Sequence, residues 1–208
     1  MDPQGHAIEP QAHPIAPQAG RVSPRVLNYV LYEAGWFACI LGAAWGHPWL
    51  GTLLGVVPVL VHVALVRRRS DAIALILATA AIGLVVDTTQ IGLGTLHFTA
   101  GTMADFAGRG ASWLPPPWLT LIWAQFAITF HFGLRWMKGR PERAVLFGLL
   151  GGPLAFLCGR RLGVVTLHPE LWPSLLSLAV TWGLALPAAL GIAARQGDDP
   201  DLASYRWP

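Results

Sequence analysis

Long runs without a single charge, closed by knots of arginine, constrain this chain more than any other feature. Residues 34–66, 110–134, 144–159 and 171–194 contain no Asp, Glu, Lys or Arg. Arg67, Arg68 and Arg69 end the first run, Arg135, Lys138, Arg140 and Arg143 the second, Arg160 and Arg161 the third, and Arg195 the fourth. About 20 apolar residues in a helix cross the roughly 30 Å hydrocarbon core of a bilayer, so such runs are read as membrane spans. Of the 208 residues, 54% are hydrophobic and only 12% charged, against about 25% charged in soluble domains. A net charge of +3 would suit nucleic acid if the basic residues were spread over one surface. They sit between apolar runs instead, as in the positive-inside pattern, and no nucleic-acid partner is expected.

The expected fold is all-α, a polytopic bundle of six transmembrane helices spanning 25–195. It lies between an N-terminal tail (1–24), rich in Pro, Gln and Ala, that reads as disordered, and a C-terminal tail (196–208) expected in the cytoplasm. The tail's His6 and His13 read as incidental, and no metal or cofactor is expected. Spans are predicted at about Arg25–Ala44, Trp49–Val66, Asp71–Gly94, Trp118–Trp136, Ala144–Gly159 and Trp172–Ala194. The fifth, with Gly148, Gly151, Gly152 and Pro153, is short and open to a re-entrant path unless it extends to Val165. A Gly-rich connection from Leu93 to Ser112 is long for a compact bundle, which marks it as functional or half-inserted at the interface. With both termini inside, 11 of the 14 Lys and Arg residues face the cytoplasm, which supports an N-in, C-in arrangement.

Within the third span, Thr79, Gly83, Asp87 and Gln90 share one small, polar face. Asp87 lies about 24 Å up the helix from Asp71, near the far edge of the core. An intramembrane carboxylate is a functional suspicion by default. In the fourth span Trp118, Ile122, Gln125, Thr129, Phe132 and Trp136 recur at helical steps, and Trp123 is the other deep aromatic. Together with Arg160 and Arg161, which could pair with Asp87 or attract an anionic headgroup, these define an outer candidate ligand site: Asp87, Gln90, Trp118, Trp123, Gln125, Arg160 and Arg161. A second polar layer lies toward the cytoplasm: Asn28, Glu33, His62, His131 and Arg135. There Glu33 is expected to be protonated or paired with a base. The face Gly148, Gly152, Ala155 and Gly159 suits close helix packing. Cys39 and Cys158 fall toward one membrane face, where either one bridge or two free thiols would fit.

No H-E-x-x-H, G-x-S-x-G or Walker pattern occurs, and no lysine falls within the spans to carry a retinal-type Schiff base. Asn28-Tyr29, Gly35-Trp36-Phe37-Ala38-Cys39, Asp87 with Gly92, Pro116-Pro117-Trp118, Leu121-Ile122-Trp123, His131 with Trp136, and Gly151-Gly152-Pro153-Leu154-Ala155-Phe156 together resemble an uncharacterised family of bacterial inner-membrane proteins, a domain of unknown function. The resemblance covers roughly residues 27–165. It implies a multi-pass protein of the bacterial inner membrane with no established activity. The family pattern carries a glutamine where this chain has Glu33, whereas Asp87 is shared.

The expected role is binding or handling of a membrane-dissolved lipid-like or isoprenoid-like molecule around Asp87. Two alternatives stay open. One is a membrane enzyme using Asp87 or Glu33 as acid or base, helped by His97 or His131. The other is a non-catalytic subunit that packs on a membrane protein partner through the glycine face.

Overall fold

The computed structural model describes residues 22–206, except for the side chains of Phe106 and Arg109. The expected disordered N-terminal tail, with His6 and His13, falls almost wholly outside the described residues. Seven helices and one short hairpin follow in order: α1 (Pro24–Ala44), α2 (Pro48–Leu65), α3 (Arg69–Gly92), β1 (Leu96–Phe98), α4 (Met103–Ala107), α5 (Pro117–Ala127), α6 (Pro141–Arg161), β2 (Val165–Leu167) and α7 (Trp172–Arg195). Five of them, α1, α2, α3, α6 and α7, are long and apolar enough to cross a membrane. Each of α1, α2, α5, α6 and α7 has a proline in its opening turn, where the missing N–H would find no helical partner anyway. Just past α1, α3, α6 and α7 stand Gly46, Gly94, Gly163 and Gly197, all with positive φ, a conformation that closes helices at little steric cost. Leu53, Leu77, Leu154 and Leu184 are 64–69% exposed, as expected for side chains that face lipid.

The outer layers are two antiparallel hairpins, α1 with α2 and α6 with α7, and α3 and α5 lie between them. At the α1–α2 crossing Gly42 and Gly51 approach so closely that a Cβ on either would strike the other helix's backbone. On α6, a Cβ at Gly148 would strike the α7 backbone at Trp182, and one at Gly152 would strike the Trp182 side chain. In lipid, where apolar surface gains nothing by leaving a solvent that is itself apolar, such small-residue contacts carry helix association. Of the glycine face, Gly148 and Gly152 therefore pack on α7 of the same chain and Gly159 lies against Val164 and Val165, while Ala155 is exposed.

The predicted spans differ from the structure in two places. The fifth is not a short re-entrant segment, because α6 continues through Pro153 over 21 residues. The fourth is not one helix from Trp118 to Trp136: α5 stops after Ala127 and a chain of tight turns carries the rest, ending in a 3-10 turn at Arg135–Met137. In that stretch Ile128, Thr129 and Phe130 bond back three residues rather than four. Thr129 Oγ1 donates to the Phe126 carbonyl at 2.7 Å, and Asn28 Nδ2 donates to the Ile128 carbonyl at 2.9 Å. Irregular backbone at membrane depth survives where protein buries it, and here Phe130 is 0% and Phe132 4% exposed.

The two ends of the bundle are built differently. At one, β1 and β2 pair antiparallel with Leu96 opposite Leu167, His97 opposite Thr166 and Phe98 opposite Val165. The other holds both described chain ends. There the acidic tail folds back over a 3-10 turn at Pro200–Ala203, and Leu202 and Tyr205 are buried. Asp201 sits 3.6 Å from Arg67, Asp199 2.9 Å from Arg68 and Asp198 3.1 Å from Lys138. Basic clusters and acidic tail thus meet at one end, which we call the basic end.

Candidate functional site

The expected outer site does not assemble as one site. Asp87 is 0% exposed, sealed under α5. The Trp123 indole Nε1 donates to its Oδ2 at 2.9 Å. Its Oδ1 has no hydrogen-bond partner among the described residues. Gly83, one helical turn before Asp87, makes this possible, since the Trp123 ring lies where any Cβ at position 83 would be. The small, polar face read in the sequence is thus a slot for an indole.

Gln90 is also 0% exposed, and both ends of its amide are occupied. Nε2 donates to Thr181 Oγ1 at 2.9 Å, and Oε1 accepts from the Thr95 hydroxyl. Ser174 Oγ donates to the Thr95 carbonyl at 2.6 Å and accepts from the His168 amide. This chain of bonds ties α3 and α7 to the start of the hairpin. Gln125 faces the opposite side of α5, where Nε2 donates to the Gly55 carbonyl at 2.9 Å and lies 3.5 Å from Cys39 Sγ. Arg160 and Arg161 are exposed and form no ion pair with Asp87 or with any other described carboxylate. Cys39 is buried and Cys158 exposed, and both are free thiols.

The second layer is dispersed as well. Asn28 Nδ2 reaches the Tyr205 hydroxyl at 3.0 Å, and that hydroxyl lies 3.0 Å from His62 Nδ1. The ring of Tyr205 stacks on Phe132 with centroids 5.0 Å apart. Burial pushes the Tyr205 hydroxyl up to about 12, opposed by the Asn28 hydrogen bond. His131 Nε2 lies 2.8 Å from Gln196 Oε1, and Lys138 Nζ lies 3.3 Å from His131 Nδ1. Lys138 also holds the Asp198 carboxyl below its usual range. None of these bases pairs with Glu33, which is half-buried and makes no ion pair among the described residues, and Arg135 is exposed.

A cavity of about 500 Å³ opens between α1 and α6, with α5 as its floor. One wall is the α1 stripe Arg25, Tyr29, Tyr32, Trp36 and Ile40, and the other is Phe147, Gly151 and Ala155 of α6. Trp118, Ile122, Trp123 and Phe126 form the floor, with Trp182 of α7 beside them. Phe98, Val165 and Phe156 close the hairpin end. Its sides open toward lipid, since Tyr29 and Phe147 on the two rims are 63% and 41% exposed. The volume falls within the usual range of small-molecule sites, about 300–1,000 Å³.

Aromatic rings organise the floor. Trp123 and Trp182 lie 4.4 Å apart at 34°, Phe98 meets Trp118 edge-on at 5.9 Å, and Phe156 meets Trp182 edge-on at 6.5 Å. Trp118 is tied to the hairpin end by its Nε1 bond to the Ala100 carbonyl, 3.0 Å. Among the described residues no carboxylate, imidazole or thiol lines the groove, whose walls are chiefly aromatic and aliphatic. Of the seven residues expected in the outer site, Trp118 and Trp123 line the groove and the other five do not. Arg25, Trp36, Phe98, Phe156 and Trp182 join them in the lining without being among the expected site residues. The α1 residues among them are legible as a stripe repeating every three to four residues, whereas Trp182 and the hairpin enter only through the fold.

Residues 25–188 match the model of a family described as "Protein of unknown function (DUF2878)". No curated protein and no solved structure matches the chain. The matched stretch contains the whole groove and ends within α7, before the folded-back acidic tail.

Proposed function

Because the chain belongs to this family of unknown function, its role is argued from geometry: we propose that it binds or handles a membrane-dissolved lipid-like or isoprenoid-like molecule in the groove between α1 and α6. The carrying observation is the cavity of about 500 Å³, walled by aromatic and aliphatic side chains and open at the side of a membrane bundle. A molecule already in the bilayer enters such a site without crossing water. Five helices able to span a membrane, with arginine clusters between apolar runs, support a multi-pass protein. The bacterial inner membrane is its proposed location.

Asp87 lies beneath this groove rather than in its lining. Trp123 is the hinge of this reading, one side of the indole facing the groove and its Nε1 bonded to Asp87. Asp87 then serves to set the floor rather than to touch the ligand. The absence of carboxylate, imidazole and thiol from the lining favours binding over acid–base catalysis.

The test is native mass spectrometry of protein extracted in patches of native membrane. A retained apolar mass in the wild type that is lost in Ala155→Trp, where a bulky ring fills the α6 wall, is the expected result. An apo mass in both would overturn the reading.

A further inference from the structure

The two ends of the groove differ in chemistry, and from this we infer that its ligand is an amphiphile with one anionic oxygen headgroup, phosphate or carboxylate, held at Arg25, and an apolar tail running toward Phe98. The inference rests on the groove being a lipid site, and it adds the class and direction of the lipid.

Among the described residues Arg25 is the one charged member of the lining, with no carboxylate in it. Among the described residues it forms no ion pair. Tyr29 and Tyr32 follow it along the same α1 stripe, and Gly133, in the broken stretch after α5, also lines the groove. The Gly133 backbone N–H has no hydrogen-bond partner among the described residues, because the tight turns around it bond their neighbours instead. Asn28 does not join this group, since its Nδ2 already serves Ile128 and Tyr205. An unpaired guanidinium offers a planar fork of donors that matches two oxygens of a phosphate or carboxylate. The opposite end offers Phe98, Val165 and Phe156, with no charged group. A headgroup placed there would be desolvated without a partner, which is costly.

Length agrees with a tail. From Arg25 to Ile40 the α1 wall rises about 22 Å at 1.5 Å per residue. One leaflet's share of a 30 Å core is about 15 Å. The trough therefore runs past the midplane, where it suits a long linear chain lying along the aromatic floor.

The experiment uses the full-length protein in nanodiscs of phosphatidylcholine, titrated with hexadecyl phosphate or with hexadecanol and read by native mass spectrometry. The phosphate should bind about tenfold more tightly than the alcohol, the worth of one charge-assisted contact. Arg25→Gln should erase that difference by weakening phosphate binding. Gly151→Leu should abolish both, because Leu fills the groove. A Cβ there meets only the Phe147 ring, at 3.6 Å, so the helix itself is undisturbed. Equal binding of phosphate and alcohol, unchanged by Arg25→Gln, would overturn the headgroup inference and leave the lipid groove standing. Binding of both that survives Gly151→Leu, or that never saturates, would mark annular lipid only and overturn both.

Discussion

The two faces of α5 meet the same membrane in opposite ways. Toward α3, the Trp123 indole fills the slot over Gly83 and hydrogen-bonds a carboxylate with no access to solvent or lipid. Toward α1 and α6, Trp118, Ile122 and Phe126 floor an open groove. Both faces are aromatic, and in sequence they form overlapping stripes of one short helix. What separates them is the neighbour: a glycine in contact on one side, and a gap between two helical hairpins on the other. The polar residue that attracts attention in the sequence, Asp87, belongs to the sealed face, while the surface able to take a ligand has little polarity to announce it.

Substitutions on the two faces should therefore separate stability from binding. The largest effect is expected for Gly83→Val, which drives a branched side chain into the Trp123 ring. Overpacking of this kind should cost about 3 kcal/mol or more, seen as loss of the folded protein in thermal unfolding in detergent. A normally folded Gly83→Val would break the account of the seam. Next is Asp87→Leu, which leaves the buried Trp123 N–H without an acceptor at about 1–3 kcal/mol. Asp87→Asn keeps an acceptor oxygen and should recover most of that stability. If both replacements leave stability intact but abolish ligand retention, Asp87 acts on the ligand and the sealed-face reading fails.

A smaller effect, about 1 kcal/mol, is expected for Tyr205→Phe, which removes the hydroxyl that meets Asn28 and His62 at the bundle's basic end. This contact also carries a pH signature. The hydroxyl is raised from 10 to about 12 on folding, so its contribution is complete below pH 10 and fades as pH rises from about 10 to 12. In a tyrosinate absorbance titration the late step should lose one tyrosine's amplitude in Tyr205→Phe, and loss of amplitude from the step near pH 10 instead would contradict the burial of this ring. The smallest stability change is expected for Gly151→Leu on the open face, within about 0.5 kcal/mol, measured in the same unfolding assay as Gly83→Val. A large loss there would show the groove wall to be a packed interface and erase the contrast between the faces.

Much of the architecture was legible in the residues. Charge-free runs and arginine clusters located the long helices to within two residues at most ends, and the prolines and glycines at their termini explain why. The irregular half of the fourth segment was not legible as such, because Ile128-Thr129-Phe130 continue the apolar run while Thr129 and Asn28 draw the carbonyls away from the helix. The glycine face of α6 was legible as a packing face, but that two of its glycines take α7 of the same chain as neighbour was not. The charge pattern sets Arg160, Arg161 and Asp87 at one expected depth, but depth alone says nothing about which helices adjoin.

By itself the sequence determined the environment: runs too long and too apolar for water, basic residues confined to their ends, and a family membership that names no activity. Only the tertiary structure decided which faces of those helices are sealed and which are open. The physical reason is that lipid is as apolar as a leucine side chain, so burial against protein and exposure to membrane select the same residues. Where α1 and α6 part over α5, leaving an arginine at one end and a phenylalanine at the other, follows from small residues that bring other helix pairs together, and from contacts made between residues far apart in the chain.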